Sequence, residues 1–334
     1  MENNIKPVNI DDRVHPEFRE IYKQKPSAMK PFEEDKIKET RQIVDYVMTT
    51  FGQYPTDNLE VTNKSIPGPE GAPEISIRIY KPKDTDASTK LPGLLWIHGG
   101  GYLFGNISSS GYWPICLADR VKCVTVALDY RLAPEHPYPA GLEDCYATLV
   151  WMSKAAEELG IDVDRIAVGG ESAGGGLTAA LALLTRDRKG PKLCFQMPLY
   201  PMLDDRNITP SSYEITDGRN WNRDTNVSAW AMYLKDYKDK EIPIYAAPSR
   251  AKDLSNLPAT WTFVGDLDVF RDETIEYTQR LMQAGVPVEL HVYSGGVHGF
   301  DVAFSEIELS KRVFDLGVYA LKTALNSPKA TLPN

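Results

Sequence analysis

Arg165-Ile-Ala-Val-Gly169 runs directly into Gly170-Glu-Ser-Ala-Gly174, and from there into the small-residue run Gly174-Gly-Gly-Leu-Thr-Ala-Ala180. A short apolar strand, a G-x-S-x-G turn and a helix, in that order, form a nucleophile elbow. Glycines on both sides of the serine allow a sharper, more strained turn than a Cβ would permit. The pattern predicts Ser172 above the end of a sheet strand, at a helix N-terminus whose free N–H groups favour negative charge. Glycines and serines also make ordinary turns, so the remainder of the chain has to decide.

Upstream, the apolar run Leu91-Pro-Gly-Leu-Leu-Trp-Ile97 leads into His98-Gly-Gly-Gly101. Three consecutive glycines cost conformational entropy, which implies that something approaches their backbone closely. Unshielded amides there can point at an oxyanion, as in the H-G-G-G loops of lipases and esterases, together with the amide that follows the nucleophile. The candidate donors are Gly100, Gly101 and Ala173. A flexible turn closing a hairpin is the simpler explanation, and the elbow downstream argues against it.

A serine nucleophile also needs a base and a group to orient that base. Of the five histidines, His15 lies in a polar leader, His98 opens the glycine loop and His136 sits in a Pro-rich loop. His291 falls inside the strand-like Val288-Glu-Leu-His-Val-Tyr293. His298 lies in the glycine-rich Ser294-Gly-Gly-Val-His-Gly-Phe300, after that strand, which fits the chain order Ser…Asp/Glu…His. Asp266, Asp268 and Asp272 all follow the strand-like Ala259-Thr-Trp-Thr-Phe-Val-Gly265, so the residues alone leave the acid open. Asp272 falls near a helix start, where a carboxylate favours the dipole.

With these pieces in place the chain resembles the bacterial hormone-sensitive lipase-like (family IV) carboxylesterases of the α/β-hydrolase superfamily. The matching stretches are His98-Gly-Gly-Gly101, Asp129-Tyr-Arg-Leu-Ala-Pro-Glu-His136, Gly170-Glu-Ser-Ala-Gly-Gly175, Asp268-Val-Phe-Arg-Asp-Glu273 and His298-Gly-Phe300. The resemblance assigns the acid to Asp268 and leaves Asp266 outside the motif. It implies an α/β-hydrolase fold: a mostly parallel eight-stranded sheet with helices on both faces and a helical cap. It also implies short- to medium-chain acyl esters as substrates. Glu171 stands where many members have Asp, and Val269 replaces the usual Pro.

Composition is consistent with such an enzyme. A chain of 334 residues can bury a large core, and a net charge of -9 argues against nucleic acid and anionic membrane surfaces as partners. Cys116, Cys123, Cys145 and Cys194 show no C-x-x-C spacing, which suits reduced thiols in a cytoplasmic protein. Neither a metal nor an organic cofactor is called for. The N-terminal residues lack the apolar core of a signal peptide. Residues 1–55 read as an N-terminal cap segment with an amphipathic helix over about 33–50, whose apolar positions are Ile37, Ile43, Val44 and Val47. Residues 56–334 read as the catalytic domain, with strands over 59–66, 74–81, 93–97, 122–128, 165–169, 193–199, 259–265 and 288–293. Helices are expected after the first pair.

An aromatic-rich insertion at about 204–248 breaks that alternation and reads as the rest of the cap. Tyr102, Trp113, Tyr200 and Trp221 are the candidate pocket residues. An amide or formamide hydrolase with the same residues is the alternative activity, and His298 in its loop disfavours a catalytically silent small-molecule receptor. Pairing through the last sheet edge, common among look-alikes, would make a homodimer.

Overall fold

The computed structural model describes residues 5–86 and 89–326. All eight expected strands are present: β1 (Leu59–Ile66), β2 (Ile75–Pro82), β3 (Leu91–Ile97), β4 (Val124–Leu128), β5 (Ile161–Glu171), β6 (Phe195–Leu199), β7 (Ala259–Leu267) and β8 (Val288–Val297). They form one sheet in the order β1-β2-β4-β3-β5-β6-β7-β8. β2 is antiparallel to both β1 and β4, and every other pair is parallel. The inner strands β3, β4 and β6 are buried along their whole length. Helices on both faces allow such continuous apolar runs.

The longest helices among the described residues are α1 (Ile37–Thr49), α2 (Ala140–Lys154), α3 (Ala173–Asp187), α4 (Arg223–Tyr233), α5 (Arg271–Gln283) and α6 (Glu308–Asn326). Two expectations are corrected here. A helix was expected between every pair of strands after the first, yet the short link from β2 to β3 holds none among its described residues. β2 still pairs antiparallel with β4, so this link needs no right-handed crossover. The second correction concerns α1, whose apolar stripe faces solvent in part: Ile43 and Val47 are 65% and 45% exposed, while Ile37 is buried. Ile37 and Val44 reach the core, and polar groups one turn apart complete the docking. Arg41 donates to the carbonyls of Leu103 and Ala133 and pairs with Glu135, and Asp45 accepts from the Gly105 amide.

The N-terminal segment lies against the excursion between β6 and β7. Val8 and Met29 amides donate to the carbonyls of Glu214 and Gly218, Phe32 N–H donates to Ser228 Oγ, and the Phe32 ring meets Trp221 at 5.6 Å. Arg219 reaches Asp11, and Lys235 pairs with Glu34.

Candidate active site

β5 ends at Glu171 and α3 begins at Ala173, so Ser172 is the single residue of the turn, with φ 58° and ψ -118°. That is strained backbone for a side chain-bearing residue. The turn closes against the end of β3: a Cβ on Gly174 would land on the Ile97 carbonyl oxygen, so only glycine fits there. The Ser172 amide donates to the Leu199 carbonyl, and its own carbonyl accepts from Gly176 and Met202. Held this way, Ser172 caps fifteen residues of helix whose dipole favours developing negative charge.

β7 and β8 deliver the partners. His298 follows β8, and its Nε2 lies 2.9 Å from Ser172 Oγ while its Nδ1 lies 2.8 Å from Asp268 Oδ2. Asp268 is fully buried, and its Oδ1 accepts from the Phe270 amide at 2.9 Å. A carboxylate only accepts, so Nδ1 carries the hydrogen and Nε2 is left to accept from the Ser172 hydroxyl. The edges and faces of Tyr200 and Phe270 enclose the imidazole, each 5.1 Å away. Asn220 Nδ2 donates to the His298 carbonyl at 2.8 Å and so ties the excursion to the histidine loop. The competing acids are engaged elsewhere. Asp266 accepts from the Gly295 amide and Arg13, and Asp272 from the Ser211 amide and Arg271.

Gly100 and Gly101 adopt φ of 112° and 61°. No backbone acceptor takes their amides among the described residues. A Cβ on Gly101 would run into the Trp221 ring. His98 pins the loop from beneath: its ring stacks on Tyr130 at 4.3 Å, and Nδ1 donates to the Gly99 carbonyl at 2.8 Å. Burial pushes the His98 imidazole down to about 4, so it stays neutral.

The four expected pocket residues separate. Trp221 spans the space between Gly101 and the His298 ring, 6.4 Å away, with its indole N–H on Asn226 Oδ1. Tyr200 backs the imidazole. Tyr102 stacks on Tyr233 at 3.9 Å and donates to the Met202 carbonyl, so its side chain fastens the glycine loop to α4. Trp113, expected in the pocket wall, instead lies in the core among Trp96, Trp261, Phe263 and Phe314, where an apolar ring is most stable. Its indole N–H donates to Oδ2 of buried Asp301 at 2.7 Å. Sequence reasoning missed Asn220, Ser110 and Asp301. Only Asp301 lay near a signal, directly after the His298-Gly-Phe300 motif.

A family model described as the alpha/beta hydrolase fold matches residues 94–302, and the chain belongs to that family, in its hormone-sensitive lipase-like branch. It is 35% identical over 273 residues to Esterase LipI of Mycobacterium tuberculosis, covering 80% of this chain and 83% of that protein. With an arylesterase of Saccharolobus solfataricus it shares 37% identity over 233 residues, 68% of this chain and 73% of the relative. Among solved structures it is similar to a bacterial heroin esterase, at 38% identity and a TM-score of 0.87, covering 94% of this chain and 98% of that one. The chain is accordingly a carboxylic ester hydrolase. No helix among the described residues is long and apolar enough to cross a membrane.

Proposed function

We propose that the protein is a serine carboxylesterase acting on short- to medium-chain acyl esters through a covalent acyl-enzyme, with Ser172, His298 and Asp268 as its triad. The observation that carries this reading is the continuous hydrogen-bond chain from Asp268 through His298 to Ser172 at the strained elbow. His298 Nε2 takes the hydroxyl proton as Ser172 Oγ attacks the ester carbonyl. Asp268 holds the imidazole in the required tautomer and stabilises the imidazolium. The amides of Gly100, Gly101 and Ala173 receive the oxyanion, and His298 then protonates the departing alcohol. Water, deprotonated by His298, attacks the acyl-enzyme in the same way and releases the acid.

The N-terminal segment and the 204–248 insertion act as the cap. Trp221, backed by Phe32, roofs the space above the glycine loop, where a bulky ring favours small acyl groups. The test is hydrolysis of p-nitrophenyl esters from acetate to palmitate, with Ser172→Ala beside the native chain. The expected result is activity highest among the shorter esters and a loss of about 10⁶ in kcat in the variant. Activity rising toward palmitate would refute the substrate range, and turnover retained by Ser172→Ala would refute the mechanism.

A further inference from the structure

Glu171 is half-buried, with the Oε2 end of its carboxyl shut off from solvent, and the triad mechanism has no use for that acid. Its Oε1 accepts from the Gly99 amide at 3.2 Å and, through a short hydrogen bond, from the Ser110 hydroxyl. Ser110 Oγ in turn accepts from the Trp96 indole N–H at 3.3 Å. Gly99 and Ser110 bound the segment that contains Gly100 and Gly101. One carboxylate oxygen therefore gathers both ends of that segment. The same residue immediately precedes Ser172, so the anchor and the hydroxyl sit on adjacent residues. The fit is close: a Cβ on Gly99 would stand 2.9 Å from the Glu171 carbonyl oxygen and 3.3 Å from Ser172 Cβ.

Resting on the reading of Ser172 as nucleophile, we propose that Glu171 is a positioning residue for ester hydrolysis. It locks residues 99–110 onto the elbow so that the Gly100 and Gly101 amides stay aimed at the oxygen of the carbonyl under attack. A carboxyl oxygen suits this task because its two lone pairs take both donors at once. Packing alone does not account for it. Glu171 Oε2 is shut off from solvent with no hydrogen-bond partner, a costly arrangement that an apolar side chain would avoid. The groups that bear on Glu171 are the Asp301 carboxyl and the Tyr130 and Tyr200 phenols. None of them supplies a cation to pair with it.

Glu171→Ala, Glu171→Gln, Ser110→Ala and Ser172→Ala test the proposal, with p-nitrophenyl acetate as substrate and an aryl trifluoromethyl ketone as inhibitor. The ketone carbon takes Ser172 Oγ, its oxygen becomes the oxyanion and the hydroxyl proton passes to His298. Its affinity therefore reports the aim of the amides. In Glu171→Ala, kcat is expected to fall about 10- to 100-fold with KM held within about threefold, and inhibitor affinity to fall by the same factor as kcat. The Gln amide oxygen can still accept from Gly99 and Ser110, so Glu171→Gln recovers kcat to within about fivefold of the native chain. Ser110→Ala, which removes one donor, loses about three- to tenfold in kcat and carries the test should Glu171→Ala fail to fold. Native kcat and inhibitor affinity in Glu171→Ala or, failing that, in Ser110→Ala, would overturn the proposal, as would a loss confined to KM. Ser172→Ala keeps the two readings apart: turnover there refutes the nucleophile, whereas an inactive Ser172→Ala beside a fully active Glu171→Ala refutes only the anchor.

Discussion

Replacing Glu171 with Gln should remove a loss of stability that the native chain is expected to show as pH rises. Burial pushes the Glu171 carboxyl up to about 7 from its ordinary 4.5, and neighbouring Asp301 adds to the rise, against the hydrogen bonds from Ser110 and Gly99. An acid whose folded value lies above its unfolded one binds more protons when folded. Its contribution to stability is thus complete below about pH 4.5 and is lost as pH rises through about 7. The full loss for a carboxyl wholly shut off from water is about 3 kcal/mol. Part of the Glu171 residue reaches the surface, which brings the expected value to about 2 kcal/mol. Glutamine cannot ionise, so this part disappears, at a pH-independent cost of about 1–3 kcal/mol for burying its unpartnered NH₂. Urea unfolding of both chains at intervals from pH 5 to 8 checks the sign and size. The gap between variant and native stabilities should move by about 2 kcal/mol in the variant's favour across that range. Parallel curves would refute the reasoning, because a carboxyl already ionised at pH 5 contributes no such slope.

Three other substitutions probe the site directly. Trp221→Ala removes the ring above Gly101, and the ratio of octanoate to acetate kcat/KM should rise about tenfold in an ester series; an unchanged ratio would remove Trp221 from the specificity determinants. Gly101→Ala sets a Cβ against Trp221 at a φ of 61° and should lower kcat about 10²- to 10³-fold by disturbing one oxyanion donor, a loss that steady-state kinetics on p-nitrophenyl acetate would reveal. Asp268→Asn leaves the shape of the site but favours the wrong imidazole tautomer, so kcat at neutral pH should fall about 10⁴-fold while far-ultraviolet circular dichroism is preserved.

The sheet was legible because its inner strands are buried along their length, mostly apolar and end in turn residues, as in Leu91–Ile97 before the glycine loop. Strand ends were less so. β5 begins at Ile161, ahead of the expected Arg165, because the polar Asp162-Val-Asp164 stretch extends it outside the core. Ser172 and His298 could be found from their loops. The acid could not be singled out by residue type, since Asp266, Asp268 and Asp272 lie within seven positions and differ only in which donors their carboxylates meet. The stripe on α1 was only partly informative, because Ile37 and Val44 reach the core while Arg41 and Asp45 supply the rest of the docking. Trp113 misled because nearness in sequence to the glycine loop does not say which side of the sheet a ring enters. Ser110 carried no signal at all: its importance lies in a contact with Glu171, 61 positions away.

The most direct test of the account is to treat the protein with a fluorophosphonate and locate the adduct by peptide mass mapping. The phosphorus takes Ser172 Oγ, fluoride leaves and His298 accepts the proton. One adduct per chain, on Ser172, with ester hydrolysis lost in proportion to labelling, is the predicted result. An adduct on another residue that abolishes activity, or full activity in a chain labelled at Ser172, would contradict it.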